Sequence, residues 1–379
     1  MLSDLEALLA PYSPEQFRAE VQGRRPLHIP ADCNDHKRAL LRWSDLNRLL
    51  GQDGIWTPHN LKLVANRSAV AVEDYCQTVR TIEGQGLRPV PKKVELFLNS
   101  GASLIANEVQ SLHAPIGDAA TALSRAFAAQ VGANVYCSFE NIQAFGPHYD
   151  AHDVFAVQTE GTKVWRIYEQ QLDTPVDLPP SGPETLRWLE ETRGRLVSEI
   201  VMNPGDVLYL PRGRFHDALA TQGASLHVTF SVTALYGRVI LSLLDNAAIQ
   251  FPLFREYFPP ADKDGGRALS EHLAQLSRLV ADIVASAAFR DEVAMSQERL
   301  VPRKATFALP ARKASPGYAP TGSPFPRGST QIAVAYEWCA AQAHFSRDQM
   351  LAAFDFIEPD ALGRAIDAAE AAGALTKVP

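Results

Sequence analysis

From residue 132 to 235 the chain breaks into short apolar runs, ANVYCSFE, DVFAVQTE, TKVWRIYE, DVLYLP and SLHVTFSVTAL, and no other feature constrains its fold as much. Each run is rich in β-branched and aromatic residues and is stopped by Gly, Pro or Asp, the pattern of short strands joined by tight turns. Strands of this length, repeated in this way, predict an antiparallel sandwich or barrel. No sequence repeat accompanies them.

The flanks read differently. Residues 1–130 are mixed. A leading amphipathic segment precedes GRRPLHIP, which predicts a short strand at Leu27 to Ile29, and helix is expected around Leu40–Leu50. KKVELFLNS (92–100) alternates Val94, Leu96 and Leu98 and predicts a strand, and ATALSRAFAAQV (120–131) predicts a helix. After 236 helices take over. Leu269, Leu273, Leu276, Val280 and Ile283 recur at spacings of four and three, which suits either a helix packed on its own domain or a subunit interface. Residues 302–328 hold six prolines with Gly and Ser, a linker composition. No acidic residue occurs from Arg303 to Tyr336, whereas Arg303, Lys304, Arg312, Lys313 and Arg327 are basic. Beyond it, Ser346 and Gln349 make a capping box, and a further helix is expected to end near Gly373.

Composition narrows the classes. With 46% hydrophobic and 21% charged residues the 379-residue chain is globular, and a formal charge of −7 argues against whole-surface attraction to nucleic acid or anionic lipid. Its four cysteines (Cys33, Cys76, Cys137, Cys339) form no C-x-x-C pair, which suits a reducing compartment and excludes an ordinary cysteine-based zinc site. Asp4 and Glu6 stand where a signal peptide carries positive charge, and no segment is long and apolar enough to span a bilayer. The expectation is a cytoplasmic protein without a membrane partner.

Two segments inside the β-rich section carry chemistry. GPHYDAHDVF (146–155) sets His148 and Asp150 two apart, on one face if the segment is a strand. PGDVLYLPRGRFH (204–216) encloses a short strand and then turns at Pro211 to Gly213, bringing His216 back inward. Two histidines and one carboxylate are the facial set that leaves open positions on non-haem Fe(II). A lone H-x-D is common by chance and a lone histidine can cap a turn. The weight lies in all three falling within one β-rich section with Gly- and Pro-framed turns.

These segments resemble a known family. PGDVLYLPRGRFH is similar to the second cupin motif from Gly205 through Pro211 and Gly213 to His216. NVYCSFE, GPHYDAHDVFAVQTEGTKVWRIY and SLHVTFS resemble the core of the JmjC ribosomal oxygenases. The resemblance covers about 130–235, with RRPLHIP echoing the family's lead-in, and in the tail it rests on architecture. It implies an α+β fold whose core is a double-stranded β-helix (the cupin/JmjC jelly roll). A helical dimerisation region and a small winged-helix-like C-terminal domain would follow that core. The expected boundaries are 1–235 for the catalytic domain, 236–301 for the dimerisation region, 302–328 for a basic linker and 329–379 for the last domain.

The resemblance also implies the chemistry: Fe(II) on His148, Asp150 and His216, 2-oxoglutarate as cosubstrate, O2, and hydroxylation of a ribosomal-protein side chain, arginine or histidine, by a homodimer. Nucleic-acid contact is expected only as proximity to the ribosome. Lys163, Tyr136 and Ser231 match the family's contacts to the 2-oxoglutarate distal carboxylate, with Asn134 a further polar contact. A barrel-interior lysine is costly unless paired, and a dicarboxylate supplies the partner; the plainer alternative has Lys163 facing solvent in a hairpin. The match favours Asp150 over Asp153. His152 could compete as a ligand or line the substrate channel, and His227 reads as a core histidine or one that supports a ligand. Asp217 could orient His216 through a hydrogen bond but reads rather as an exposed turn acid, and Trp165 as packing. Rival readings are a cupin metalloenzyme that does not use 2-oxoglutarate, a non-catalytic partner-binding cupin protein and, less well supported by the charge, a nucleic-acid regulator.

Overall fold

The computed structural model describes residues 5–31, 36–52, 54–65, 67–81, 84–139, 146–180, 182–220, 223–302 and 317–378. The basic stretch from Arg303 to Lys313 and Cys33 lie outside the described residues. The chain divides into two compact units, Met1–Arg303 and Lys304–Pro379.

The strands of the first unit, in chain order, are β1 (Leu27–Ile29), β2 (Leu61–Ala65), β3 (Ser68–Ala69), β4 (Cys76–Thr81), β5 (Gly84–Pro89), β6 (Ser103–Ala106) and β7 (Ala129–Ser138). They continue with β8 (Asp153–Glu160), β9 (Lys163–Gln171), β10 (Leu196–Met202), β11 (Val207–Leu210), β12 (Arg214–Leu219) and β13 (Ser225–Ala234). Eight of them form one antiparallel sheet in the order β1-β11-β8-β13-β7-β6-β2-β3, and a second sheet has the order β10-β9-β12. Sequence neighbours β7 and β8 are separated by β13, which pairs with both. That interleaving is the jelly-roll relation expected from the resemblance.

Period-two alternation decides what each sheet presents. On β13, Val228, Phe230 and Val232 point to one side. They join Val131, Ala133 and Val135 of β7 and Phe155 and Val157 of β8 in the main core. Helices Leu5–Leu9, Pro14–Glu20 and Ala114–Phe127 close this face with Leu8, Leu9, Phe17, Ile116 and Leu123. Each such side chain contributes about 1.5–3 kcal/mol on leaving water. The opposite face of β13 carries His227, Thr229 and Ser231, and it fronts the β9–β12 sheet.

Two expectations are corrected. Pro91–Asn99 is a helix, not a strand. Pro91 occupies its first turn, where the missing N–H costs nothing. The packed residues Val94, Phe97 and Leu98 follow helical spacing, while Leu96 is 64% exposed. The helix expected over 120–131 starts at Ala114 and ends at Phe127. Ala128 adopts φ 47°, and residues from Ala129 already belong to β7.

Helices Val239–Ala248, Arg267–Ala285 and Ala287–Glu298 follow β13. In the second unit, β14 (Gly317–Pro320) lies between β15 (Phe345–Ser346) and β16 (Leu375–Val378). Helices Thr330–Ala341, Arg347–Ala353 and Pro359–Ala371 accompany this sheet. β14 falls inside the Pro-rich stretch that reads as linker. The Ser346–Gln349 capping box forms, and Gly373 takes φ 75° just beyond the last helix.

Candidate metal and cosubstrate site

A cavity of about 270 Å³ lies between the two sheets of the first unit. β7 contributes Asn134 and Tyr136, β8 Val154, β9 Lys163 and Trp165, β12 His216 and Ala218, and β13 His227, Thr229 and Ser231. Within each strand these are alternate residues, so the sequence alternation itself points them inward. His148, Asp150 and His152 complete the wall. All seven residues singled out from the sequence line this one space.

His148, Asp150 and His216 each offer a ligand atom within 4.8 Å of the other two, a group able to hold a metal ion. The route there differs from the expectation of a regular strand. His148 forms an isolated bridge to His216, and Asp150 sits in the segment before β8. What fixes them is main-chain pairing: His148 N donates to His216 O at 3.0 Å, His216 N to His148 O at 2.8 Å, and Gly213 N to Asp150 O at 2.8 Å.

Each imidazole is oriented by a carbonyl on its far side. His148 Nδ1 lies 2.9 Å from Gly146 O, and His216 Nδ1 lies 2.9 Å from Arg214 O. An Nδ1–H donated to a carbonyl leaves Nε2 as the lone-pair nitrogen that a metal requires. His216 Nε2 is 3.5 Å from Asp150 Oδ2, and its ring stacks on Trp165 at 5.7 Å. Burial, then the neighbouring His148, pushes His216 down to about 4, so it is neutral and ready to coordinate. Burial alone would raise Asp150, but His216, His148 and His152 hold its carboxyl below the ordinary value. Asp153 is spoken for, accepting from Tyr209 Oη and Arg212 N, both at 2.9 Å.

At the other end of the cavity Lys163 is 3% exposed, which rules out the solvent-facing alternative. Its Nζ donates to Ser138 Oγ at 3.3 Å and stands 5.9 Å from the Tyr136 ring centre. Burial pushes the ammonium down to about 8 and the Tyr136 hydroxyl up to about 12. Ser231 Oγ donates to Gly132 O at 3.3 Å, and Asn134 Oδ1 accepts from Glu108 N at 3.2 Å.

Three further lining residues carry buried polar atoms without a partner among the described residues: Trp165 Nε1, His227 Nδ1 and Thr229 Oγ1. Unsatisfied buried groups are costly, and together with the buried Lys163 ammonium they fit a small, polar, anionic occupant. A three-ligand metal site beside a cation and hydroxyls fits a metal chelated by a dicarboxylate. His227 stacks flat on Tyr136 at 4.9 Å, and burial, then Lys163, holds it well below its usual value. Thr229 was missed in the sequence, yet it shares the face of Ser231 and His227 by strand alternation. Asp217 is corrected: it is buried, not an exposed turn acid, and its Oδ2 accepts from Tyr168 Oη at 2.6 Å on the strand face opposite His216.

Residues 112–238 match the JmjC domain family. The chain is 28% identical over 225 residues to ribosomal oxygenase 1 of Danio rerio, spanning 59% of this chain and 39% of that protein. It is also 28% identical over 262 residues to the bifunctional lysine-specific demethylase and histidyl-hydroxylase NO66 of Dictyostelium discoideum, 67% of this chain and 49% of that one. The match thus spans half or less of these relatives' lengths. Among solved structures, YcfD, a ribosomal oxygenase from Escherichia coli in complex with cobalt and 2-oxoglutarate, aligns over 97% of this chain and 99% of that one. The TM-score is 0.49 and the identity 15%. Residues 112–238 are thus similar to the JmjC domain family, and the chain is similar to the ribosomal oxygenases.

Proposed function

We propose that the protein is an Fe(II)- and 2-oxoglutarate-dependent oxygenase that hydroxylates an arginine or histidine side chain of a ribosomal protein. The observation that carries this reading is the convergence of His148, Asp150 and His216 in the same cavity as the buried Lys163. The substrate class comes from the ribosomal oxygenases that the chain resembles.

His148, Asp150 and His216 hold the iron. Lys163, Tyr136, Ser231 and Asn134 take the 2-oxoglutarate end remote from it. Iron and 2-oxoglutarate bound together supply the power to insert oxygen from O2 into an unactivated C–H bond, with succinate and carbon dioxide as coproducts. The protein contributes geometry. Gly146 O and Arg214 O orient the two imidazoles, Asp150 stays charged, and Trp165 and Val154 exclude water around the ligands. Lys163 keeps its proton when a carboxylate reaches it, since pairing offsets the burial that now weakens its charge.

The catalytic domain runs over 1–235, and the protein works as a cytoplasmic homodimer joined through 236–301. In support of the dimer, Leu241, Ile249, Tyr257, Phe258 and Leu273 are exposed along this region, Tyr257 at 99%. Among the described residues no helix is long and apolar enough to cross a membrane. The C-terminal unit is a winged-helix-like domain that takes β14 with it.

The test is incubation of total ribosomal protein with the purified chain, Fe(II), 2-oxoglutarate and O2, followed by mass spectrometry of the digested products. A gain of one oxygen on a single arginine or histidine, absent with His216→Ala, is the expected result. No modification under conditions that consume 2-oxoglutarate would remove ribosomal proteins as the substrate class.

A further inference from the structure

Strand pairing sets three serines side by side behind the metal cavity. Ser225 of β13 lies opposite Ser138 of β7. β6 joins the other edge of β7 with Ile105 opposite Tyr136, which carries Ser103 to the same face. By alternation this is the face of Tyr136, His227 and Ser231, the one that fronts the second sheet. All three hydroxyls are buried, Ser103 and Ser225 fully and Ser138 at 1% exposure. A buried hydroxyl is costly beside an apolar side chain of its size unless it is hydrogen-bonded.

Ser225 is engaged by Gln158 Nε2, which donates to its Oγ at 2.9 Å. Ser138 is engaged by the lysine. Its Oγ accepts from Lys163 Nζ at 3.3 Å and is hydrogen-bonded to Ser103 Oγ at 3.0 Å. Lys163 lines the cavity, whereas Ser138 stands behind it, outside the cavity wall. Among the described residues no carboxylate pairs with the ammonium. Its titratable neighbours are Tyr136, Cys137 and His227, and burial keeps all three uncharged. An ammonium carries three donors on a long, flexible stem. One donor fixed on Ser138 restrains that stem and leaves the others for a ligand. Ser103 does the same for Ser138, whose hydroxyl would otherwise turn among its rotamers.

We propose that Ser138, pinned by Ser103, is a positioning residue for Lys163, holding its ammonium so that the remaining donors meet the distal carboxylate of 2-oxoglutarate. This rests on the proposed function for the ligand, not for the hold on Lys163. The serine pair touches no ligand atom and acts through Lys163 alone. Its effect on binding must therefore vanish once Lys163 is replaced, whereas the effect of a serine that only supports the fold would persist.

The test is a double-mutant cycle read by anaerobic calorimetry of 2-oxoglutarate binding to the Mn(II)-loaded full chain. Ser138→Ala should weaken binding about fivefold, the loss of one hydrogen bond. In the Lys163→Met background the same change should alter affinity by less than about twofold. Ser103→Ala should weaken binding by about threefold with the same dependence on Lys163, which covers the case in which Ser138→Ala does not fold. An equal loss in both backgrounds overturns the proposal, as does a folded Ser138→Ala protein that binds like wild type. A second readout needs no ligand. In apo protein carrying isotope-labelled lysine, the Lys163 resonance, assigned by its absence from Lys163→Met, follows the titration of the ammonium. Ser138→Ala removes an oxygen that accepts from the charged form and should lower that midpoint by about half a pH unit or more. An unchanged midpoint overturns the hold on Lys163. The two readouts separate the readings. A wild type that binds no 2-oxoglutarate while the midpoint still shifts removes the oxygenase and keeps the hold. Binding that needs Lys163 but not Ser138 keeps the oxygenase and removes the positioning role.

Discussion

His148 and His216 exchange both main-chain hydrogen bonds, at 3.0 and 2.8 Å, so the two imidazoles proposed to hold the metal are set by one backbone pairing. Asp150 is joined to the same frame by Gly213 N at 2.8 Å. Ligand geometry is therefore a property of the backbone, and side-chain changes should remove metal without unfolding the site. Asp150→Asn is expected to keep the wild-type circular dichroism spectrum and lose at least about a hundredfold in Mn(II) affinity, more than the loss of an outer hydrogen bond costs. Titration calorimetry of Mn(II) checks this.

The turn that joins these ligands depends on Gly213. It adopts φ 81°, and a Cβ there would run into the Leu172 carbonyl. Gly213→Ala combines left-handed strain with a backbone clash and should destabilise the fold by about 2 kcal/mol or more. Chemical denaturation would measure it, and metal affinity should fall in the same variant because Gly213 N holds Asp150.

On the proposed reading, Lys163 makes 2-oxoglutarate binding depend on pH. Its folded value of about 8 lies below the ordinary 10.5, so between these values the unfolded chain binds more protons and the apo fold gains stability as pH rises. A carboxylate ligand requires the charged form. Above about pH 8, binding must therefore bring a proton with it, and affinity should decline with rising pH. Calorimetry at pH 9 in buffers of different ionisation enthalpy should register proton uptake. Lys163→Met should abolish that uptake and stabilise the apo fold by about 1–3 kcal/mol, the ordinary cost of an under-satisfied buried polar group.

Acid acts through the histidines. His216 falls to about 4 and His227 well below 6.5 in the fold, while both protonate near 6.5 once unfolded. The unfolded chain thus takes up protons first, and the apo protein should lose stability as pH drops from 6.5 towards 4. Thermal melts across that range should show the decline, and His227→Phe should flatten part of it.

Much of this was readable because strand alternation is a local property. Leu27–Ile29 and Val207–Leu210 follow from their apolar runs, and the inward set on β13 follows from Ser231 by steps of two. The helix at Pro91–Asn99 is ambiguous in sequence because Val94, Leu96 and Leu98 satisfy a strand while Val94, Phe97 and Leu98 satisfy a helix. Pro91 was the signal that separates them. The His148–Asp150 spacing anticipates that the two side chains converge, but not how. A bridge to His216 and a bond from Gly213, both distant in sequence, converge them outside any regular strand. Asp217 reads as an exposed acid because nothing nearby in sequence announces Tyr168, its partner across the sheet.

The most direct measurement is anaerobic calorimetry of 2-oxoglutarate binding to the Mn(II)-loaded protein, with Lys163→Ala and His148→Ala beside it. The account predicts binding that requires metal, is weakened about tenfold or more by Lys163→Ala through loss of a charge-assisted contact, and is lost with His148→Ala. A folded, metal-loaded wild type that binds no 2-oxoglutarate would contradict it.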